Sequence, residues 1–271
     1  MATSRQWQLA HEAAERYEHI LVPAILGPFA QALVEWSALQ PGEVVVDIGC
    51  GTGAAAHFAA EKVGPAGRVI GIDVNGGMIE VAKARTPQGA PIDWYQKSAY
   101  DLPLANQTAD IALCAQTLQF LDNRPQALAE MYRVLKPGGR VTLSSWTNIQ
   151  ESPYFNNLVA VISHHINHDT AAGLGAAFNL SNPDEIRSLL DKAGFRAIEV
   201  AATQLELELP PVEEFVPRHI SATPMAVGFN TASEAERQAV LNDLAARLAP
   251  FKKPDRSLRV PFTSYLAHGY K

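Results

Sequence analysis

The sequence is poor in cysteine, with only Cys50 and Cys114 in 271 residues. Two thiols exclude a disulfide framework, and without a CxxC spacing they exclude a cysteine-built zinc site. A basic excess is also missing. The formal net charge of −6 gives no electrostatic reason to bind nucleic acid. The densest basic stretch, Lys252, Lys253, Arg256 and Arg259, reads as a solvated face. No uninterrupted apolar run reaches the ~18 residues that a membrane span needs. The N-terminal stretch MATSRQWQLAHEAAERYEHI is charged throughout and lacks the apolar centre of a signal peptide. There are no internal repeats and no low-complexity tails. The expectation is a cytoplasmic protein with reduced thiols, no membrane span and no nucleic-acid partner.

What is present is an alternation of strand and helix. Short β-branched runs at 44–48, 68–73, 92–96, 110–115 and 140–145 read as buried parallel strands. Helical patterns lie between them at 54–63, 78–84 and 125–135. In the last, Leu128, Met131 and Leu135 recur at helical spacing, and the following Lys-Pro-Gly-Gly stops the helix with a left-handed exit. Residues 5–40 read as helices ahead of the first strand. Beyond 147 come a helix at 153–166, a Gly/Ala-rich connection at 167–180, and a helix start at Ser181-Asn182-Pro183-Asp184 with capping-box-like spacing. Strands follow at 195–209 and 258–270, with helices at 211–249 between them. The pattern predicts a doubly wound, Rossmann-like α/β fold with helices on both faces of the sheet.

The segment VVVDIGCGTG at 44–53 joins the first strand to the first helix of that unit. Gly49, Gly51 and Ala54 satisfy GxGxxA, a weak dinucleotide signal by itself. Asp47 weighs against a diphosphate, because like charges repel where water screens poorly. A cationic ligand reverses the sign. S-adenosylmethionine (SAM) carries a sulfonium and an ammonium and no phosphate, and the glycines let the backbone approach its methionine portion. Asp73 ends the second strand, where an acid accepts ribose hydroxyls, or else caps the next helix. Met78 follows, as adenine contact or core residue. After the third strand, QKSAYDLPL places Ser98, Ala99 and Tyr100 at the adenine position. The fourth strand opens into a loop holding Gln116 and Gln119, and RVLKPGGRVTLSSW closes the series.

This ordered set resembles the class I SAM-dependent methyltransferases, most closely the bacterial small-molecule branch related to ubiquinone and menaquinone methyltransferases. The resemblance is specific over about 40–147 and looser elsewhere. It implies one domain over 1–271: cap helices at 1–40, a SAM-binding core at 41–147, and the remaining strands at 148–271 with a helical lid at about 148–180 and 210–250. It implies a seven-stranded, mostly parallel sheet with a reversed final strand. By the same analogy Asp47, Gly49, Cys50 and Gly51 cradle the methionine part, Asp73 and Val74 hold the ribose, and Gln116 lines the floor near the methyl group. Tyr17 falls near the cofactor's carboxylate. One departure is Ser98, where the family commonly has an aspartate. A hydroxyl is a weaker partner than an ionised acceptor.

Methyl transfer needs a base only when the acceptor must lose a proton. His219, in PRHISATPMAVGF, is the candidate catalytic residue; a structural histidine is the alternative. His164, His165 and His168 raise a metal question but lack a completing carboxylate beyond Asp169, so no metal is expected. The variable segments 1–30, 148–180 and 210–250, with Trp7, Tyr154, Phe155, Phe178, Phe215 and Phe229, suit a small apolar or aromatic acceptor. Arsenic-type thiol chemistry is not expected, since both cysteines sit in core motifs. Two alternatives stand beside a methyltransferase. One is an NAD-dependent oxidoreductase. The other is a SAM-binding protein or cyclase on the same fold that does not methylate.

Overall fold

The computed structural model describes residues 11–271. Trp7 and the start of the first expected helix lie outside the described residues. Helix α1 (His11–Arg16) runs into a π-helical segment (Tyr17–Leu26) and then α2 (Gly27–Trp36). The core follows as β1 (Val44–Ile48), α3 (Ala54–Val63), β2 (Arg68–Asp73), α4 (Gly76–Arg85), β3 (Ile92–Gln96), β4 (Ala109–Ala115), α5 (Arg124–Val134) and β5 (Leu135–Trp146). Helices α6 (Pro153–His165), α7 (His168–Ala172) and α8 (Pro183–Lys192) precede β6 (Arg196–Leu209). Helices α9 (Val212–Ser221), α10 (Ala226–Thr231) and α11 (Glu234–Arg247) then precede β7 (Leu258–Tyr270).

The strands form one seven-stranded sheet in the order β3-β2-β1-β4-β5-β7-β6. The first five pair in parallel, and β7 runs antiparallel to both β5 and β6. This is the expected mostly parallel sheet with a reversed final strand. Strand order reverses between β1 and β4, which opens a crevice at their carboxyl ends. Val45, Val69, Ile111 and Leu113 pack under α2 and α3 on one face. Val46, Ile48, Ile70 and Ile72 pack under α5 and α8 on the other. Burial on both faces is why these strands are rich in Val and Ile. A separate cluster joins Tyr154 and Leu158 of α6, Phe215 of α9 and Leu244 of α11 to Phe262 of β7. It is the lid's own core.

Several boundaries differ from expectation for local reasons. Helix α5 leaves through Leu135 in an extended conformation (φ −70°, ψ 138°), and the left-handed residue is Gly138 (φ 79°), in the turn beyond. The cap of α8 is Asn182, whose side chain accepts the Asp184 amide, so Ser181 is not the cap. A reciprocal capping box occurs instead at Ser233 and Glu236 of α11. Asn75, not Asp73, caps α4. The 167–180 connection contains α7 and a short 3-10 turn.

The π-helical segment holds Pro23, which has no N–H to give the ladder. Gly27 follows because a Cβ there would meet the Val22 carbonyl oxygen at 2.7 Å. The helical stretch Glu12–Trp36 is 25 residues long with hydropathy 1.2, so by length and composition it passes for a membrane span. Here Ile25, Phe29 and Leu33 of that stretch are buried in the protein.

Candidate active site

A cavity of about 350 Å³ opens at the crevice between β1 and β4. Three glycines in left-handed conformations shape its base: Gly49 (φ 69°), Gly51 (φ 55°) and Gly53 (φ 93°). Each meets a different neighbour. A Cβ on Gly49 would clash with Thr117, and one on Gly53 would sit 2.5 Å from the Trp94 ring. A Cβ on Gly51 would enter the cavity and meet only Tyr17, at 4.0 Å. Thr117 Oγ1 donates to the Gly49 carbonyl at 3.0 Å and so ties the loop to the end of β4.

The amides of Gly49, Cys50 and Gly51 are already committed. Gly49 and Cys50 N–H groups both donate to the Ile72 carbonyl, at 2.7 and 3.0 Å. The Gly51 N–H donates to Asp73 Oδ2 at 2.9 Å. An anion cradle needs such groups free, so the commitment of these three amides weighs against a diphosphate on this turn. Asp73 also accepts the Asn75 amide on Oδ1, at 2.8 Å. These bonds fix the carboxylate at the cavity wall, and each oxygen keeps a lone pair for a hydroxyl. Burial pushes its pKa up, partly offset by the amides of Asn75, Gly51 and Val74.

Asp47 lies beneath the loop rather than in the wall. It is fully buried, it does not line the cavity, and neither carboxylate oxygen has a hydrogen-bond partner. Burial, with the nearby Asp73 charge, raises its pKa to about 7, against a lowering by the Ala56 amide, which approaches the carboxylate without good hydrogen-bond geometry. A buried carboxylate so weakly partnered is costly, and a cation placed above the loop would relieve it.

The other expected cofactor residues converge on the same cavity: Tyr17, Cys50, Val74, Met78, Ser98, Ala99, Tyr100 and Gln116. Val74 is 57% exposed, an apolar side chain left open at the rim. Ser98 Oγ accepts the Tyr100 amide at 3.1 Å. Tyr17 is partly buried, and desolvation, with the Asp73 and Glu18 charges, drives its pKa well above the ordinary phenol value. Gln116 has a positive φ of 49°, strained for a side-chain-bearing residue. Its Nε2 donates to Ser264 Oγ at 2.8 Å, and its Oε1 accepts from Gln119 Nε2 at 2.9 Å. Both polar ends being held, the side chain is a fixed wall.

A second cavity, about 80 Å³, adjoins the first and shares Tyr17, Leu26, Gln116 and Phe120 with it. Trp146, Phe155 and Leu174 make it largely apolar, and His219 and Thr223 complete it. His219 is 2% exposed, and burial lowers its pKa to about 3. Its Nδ1 lies 2.6 Å from the Tyr154 hydroxyl. Of the expected aromatic lining, Phe155 reaches this chamber. Phe178, Phe215 and Phe229 belong to the lid core and do not line it. Leu26, Thr117, Phe120, Trp146 and Ser264 escaped the sequence reading; only TLQF, beside Gln116, carried a signal. The histidine cluster disperses: His165 pairs with Asp243, and His168 with Ser163. Among the described residues no group of three or more His, Cys, Asp or Glu could hold a metal.

These features fit SAM. Three amides of the loop are spent internally, a buried acid lies beneath it, and a second acid, Asp73, stands in the cavity wall. Residues 46–143 match the family model described as "Methyltransferase domain", and the chain is similar to quinone and other methyltransferases. Among its relatives, a 2-phytyl-1,4-naphtoquinone methyltransferase of Thermosynechococcus vestitus is 29% identical over 184 residues, 62% of this chain and 79% of that one. An arsenite methyltransferase of Halobacterium salinarum is 29% identical over 168 residues, 61% of this chain and 40% of that one. The solved YcgJ protein of Bacillus subtilis shares the fold with a TM-score of 0.57 at 18% identity, over 89% of this chain and 97% of that one. The chain spans about half the length of most of the curated relatives it matches, 48% for several plant and cyanobacterial quinone methyltransferases. A nicotinamide oxidoreductase is not favoured.

Proposed function

We propose that this protein transfers a methyl group from SAM to an O, N or C atom of a small, apolar or aromatic organic acceptor. The observation that carries this is the junction of the two cavities: a nucleoside-sized site and an apolar chamber share Tyr17, Leu26, Gln116 and Phe120 as their common wall. A sulfonium methyl held over the glycine loop would face that junction.

When bound, SAM supplies an already activated methyl, so the hard chemistry belongs to the cofactor. The chain's task is to hold, orient and exclude water. Asp73 would accept the ribose hydroxyls, with Val74, Met78, Ala99 and Tyr100 around the adenine. Ser98 Oγ already accepts an amide, so its O–H remains to donate to a ring nitrogen. Gly51 would give the methionine portion room, with Cys50 and Tyr17 beside it, while Asp47 acts on its positive charge through the loop. The fixed Gln116 would present a floor to the methyl. Alignment of this kind is worth ~7–11 kcal/mol of a barrier.

Arsenite, named for the Halobacterium relative, is a poor match for this site. A soft arsenic centre is held by thiolates, yet both cysteines are buried. Burial pushes the Cys114 thiol up to about 12 and the Cys50 thiol well above its usual range. Two free thiols in a chain without a disulfide support a reducing compartment such as the cytoplasm.

The test is incubation with methyl-labelled SAM and a panel of phenols, amines and quinone precursors. Label in an organic acceptor is the expected result. SAM binding without transfer to any acceptor would favour a non-methylating protein on the same fold.

A further inference from the structure

Tyr154 of α6 and His219 of α9 are 65 residues apart and stack with ring centroids 5.3 Å apart at 26°. Both are buried, among the rings of Phe155 and Phe215. The Tyr154 hydroxyl has one partner among the described residues, His219 Nδ1 at 2.6 Å. A buried O–H must donate to something. If Nδ1 carried the proton, the tyrosine hydrogen would be orphaned inside an apolar cluster. The hydroxyl therefore donates, Nδ1 accepts, and the imidazole proton sits on Nε2. Nε2 has no partner among the described residues, and the ring lines the apolar chamber.

The chamber's other polar groups are mostly committed. Thr223 Oγ1 donates to the Ile220 carbonyl, and both ends of the Gln116 amide are held. No carboxylate lines the chamber, so an ammonium group finds no ion-pair partner there. A fixed N–H in such surroundings matches an oxygen with an unshared pair.

We propose that His219 does not serve as a base but donates its Nε2–H to a carbonyl or phenolic oxygen on an otherwise apolar, ring-bearing acceptor, with Tyr154 holding the tautomer. This rests on the proposed acceptor role of the chamber. It narrows the acceptor class to oxygenated aromatic or quinoid molecules and disfavours amines.

Two measurements test it. Nitrogen-15 NMR of histidine-labelled protein, free of any ligand, is expected to show His219 with Nε2 protonated and Nδ1 bare from pH 5 to 8. In Tyr154→Phe the tautomer preference relaxes. A protonated Nδ1 in the wild type would overturn the proposal, and this readout stands whether or not the protein methylates anything. The second titrates protein saturated with S-adenosylhomocysteine (SAH) with 1-tetralone and with tetralin, which lacks the ketone. The ketone is expected to bind at least about tenfold tighter, with its C=O stretch shifted to lower frequency. His219→Phe should erase both effects with SAH affinity unchanged, and His219→Gln should restore part of the preference. Equal binding of the two probes, binding of neither, or a preference that survives His219→Phe would overturn it. Failure to bind SAH would instead count against the methyltransferase reading.

Discussion

Asp73 Oδ2 accepts the Gly51 backbone N–H at 2.9 Å. One carboxylate thereby orders the glycine loop and stands in the cavity wall, which would couple the two halves of the proposed cofactor site. Asp73→Ala is expected to weaken SAM and SAH alike, by roughly ten- to hundredfold, the worth of charge-assisted hydrogen bonds. Calorimetric titration of both ligands checks this. A loss confined to SAM would contradict the ribose role, because the two ligands carry the same ribose.

Asp47 trades stability for charge. Its folded-state pKa, about 7, lies above the ordinary value of 3.8. A raised pKa contributes stability that is complete below the unfolded value and is lost as pH rises through the folded one. From this group the ligand-free protein should lose up to about 1.4 kcal/mol per pH unit across pH 4–7. Asp47→Asn should flatten that slope and raise the melting temperature at pH 8. The same variant should reduce the preference for SAM over SAH, since only SAM carries the sulfonium. Melting curves across pH and paired titrations check both halves. An unchanged SAM to SAH ratio would argue that the acid is merely structural.

Gly49 and Gly51 should separate folding from binding. Alanine at Gly49 takes a left-handed backbone and collides with Thr117, at a cost of about 2–5 kcal/mol. Alanine at Gly51 has open space on the protein side, so it costs ~1–2 kcal/mol of backbone strain and places a methyl in the cavity. Gly51→Ala should fold and yet lose SAM. Denaturant melts and SAM titrations of both variants check this.

Glu18, 6% exposed, pairs with Arg85 at 2.6 Å and ties the π-helical segment to α4. Arg85→Ala leaves a buried carboxylate alone. Because the arginine is 47% exposed, the cost is discounted to about 1–3 kcal/mol. Glu18→Gln should cost less. Thermal melts should rank them in that order, and SAM affinity should follow, because Tyr17 adjoins Glu18.

The sheet was legible because its central strands are buried on both faces and read as short runs rich in β-branched residues, such as Val44–Ile48. The residues that line the larger cavity were legible because they sit at strand ends in a fixed order. Asp47 was found, but its place beneath the cavity was not, since residue order says nothing of depth. The committed loop amides were also hidden, because their acceptor is the Ile72 carbonyl of another strand. The apolar chamber was least visible: Tyr154 meets His219 across 65 residues, and Gln116 meets Ser264 across 148. No local period records such pairings. The π-helical segment leaves no spacing signal either, as its turns are set by packing around Pro23.

The most direct test of the cofactor assignment is a calorimetric titration of the wild-type protein with SAM, SAH and NADH. Binding of the two sulfur nucleosides at one site, with no heat from NADH, is the expected result. Binding of NADH without SAM would contradict it, and would mean that the glycine turn frees its amides for a diphosphate after all.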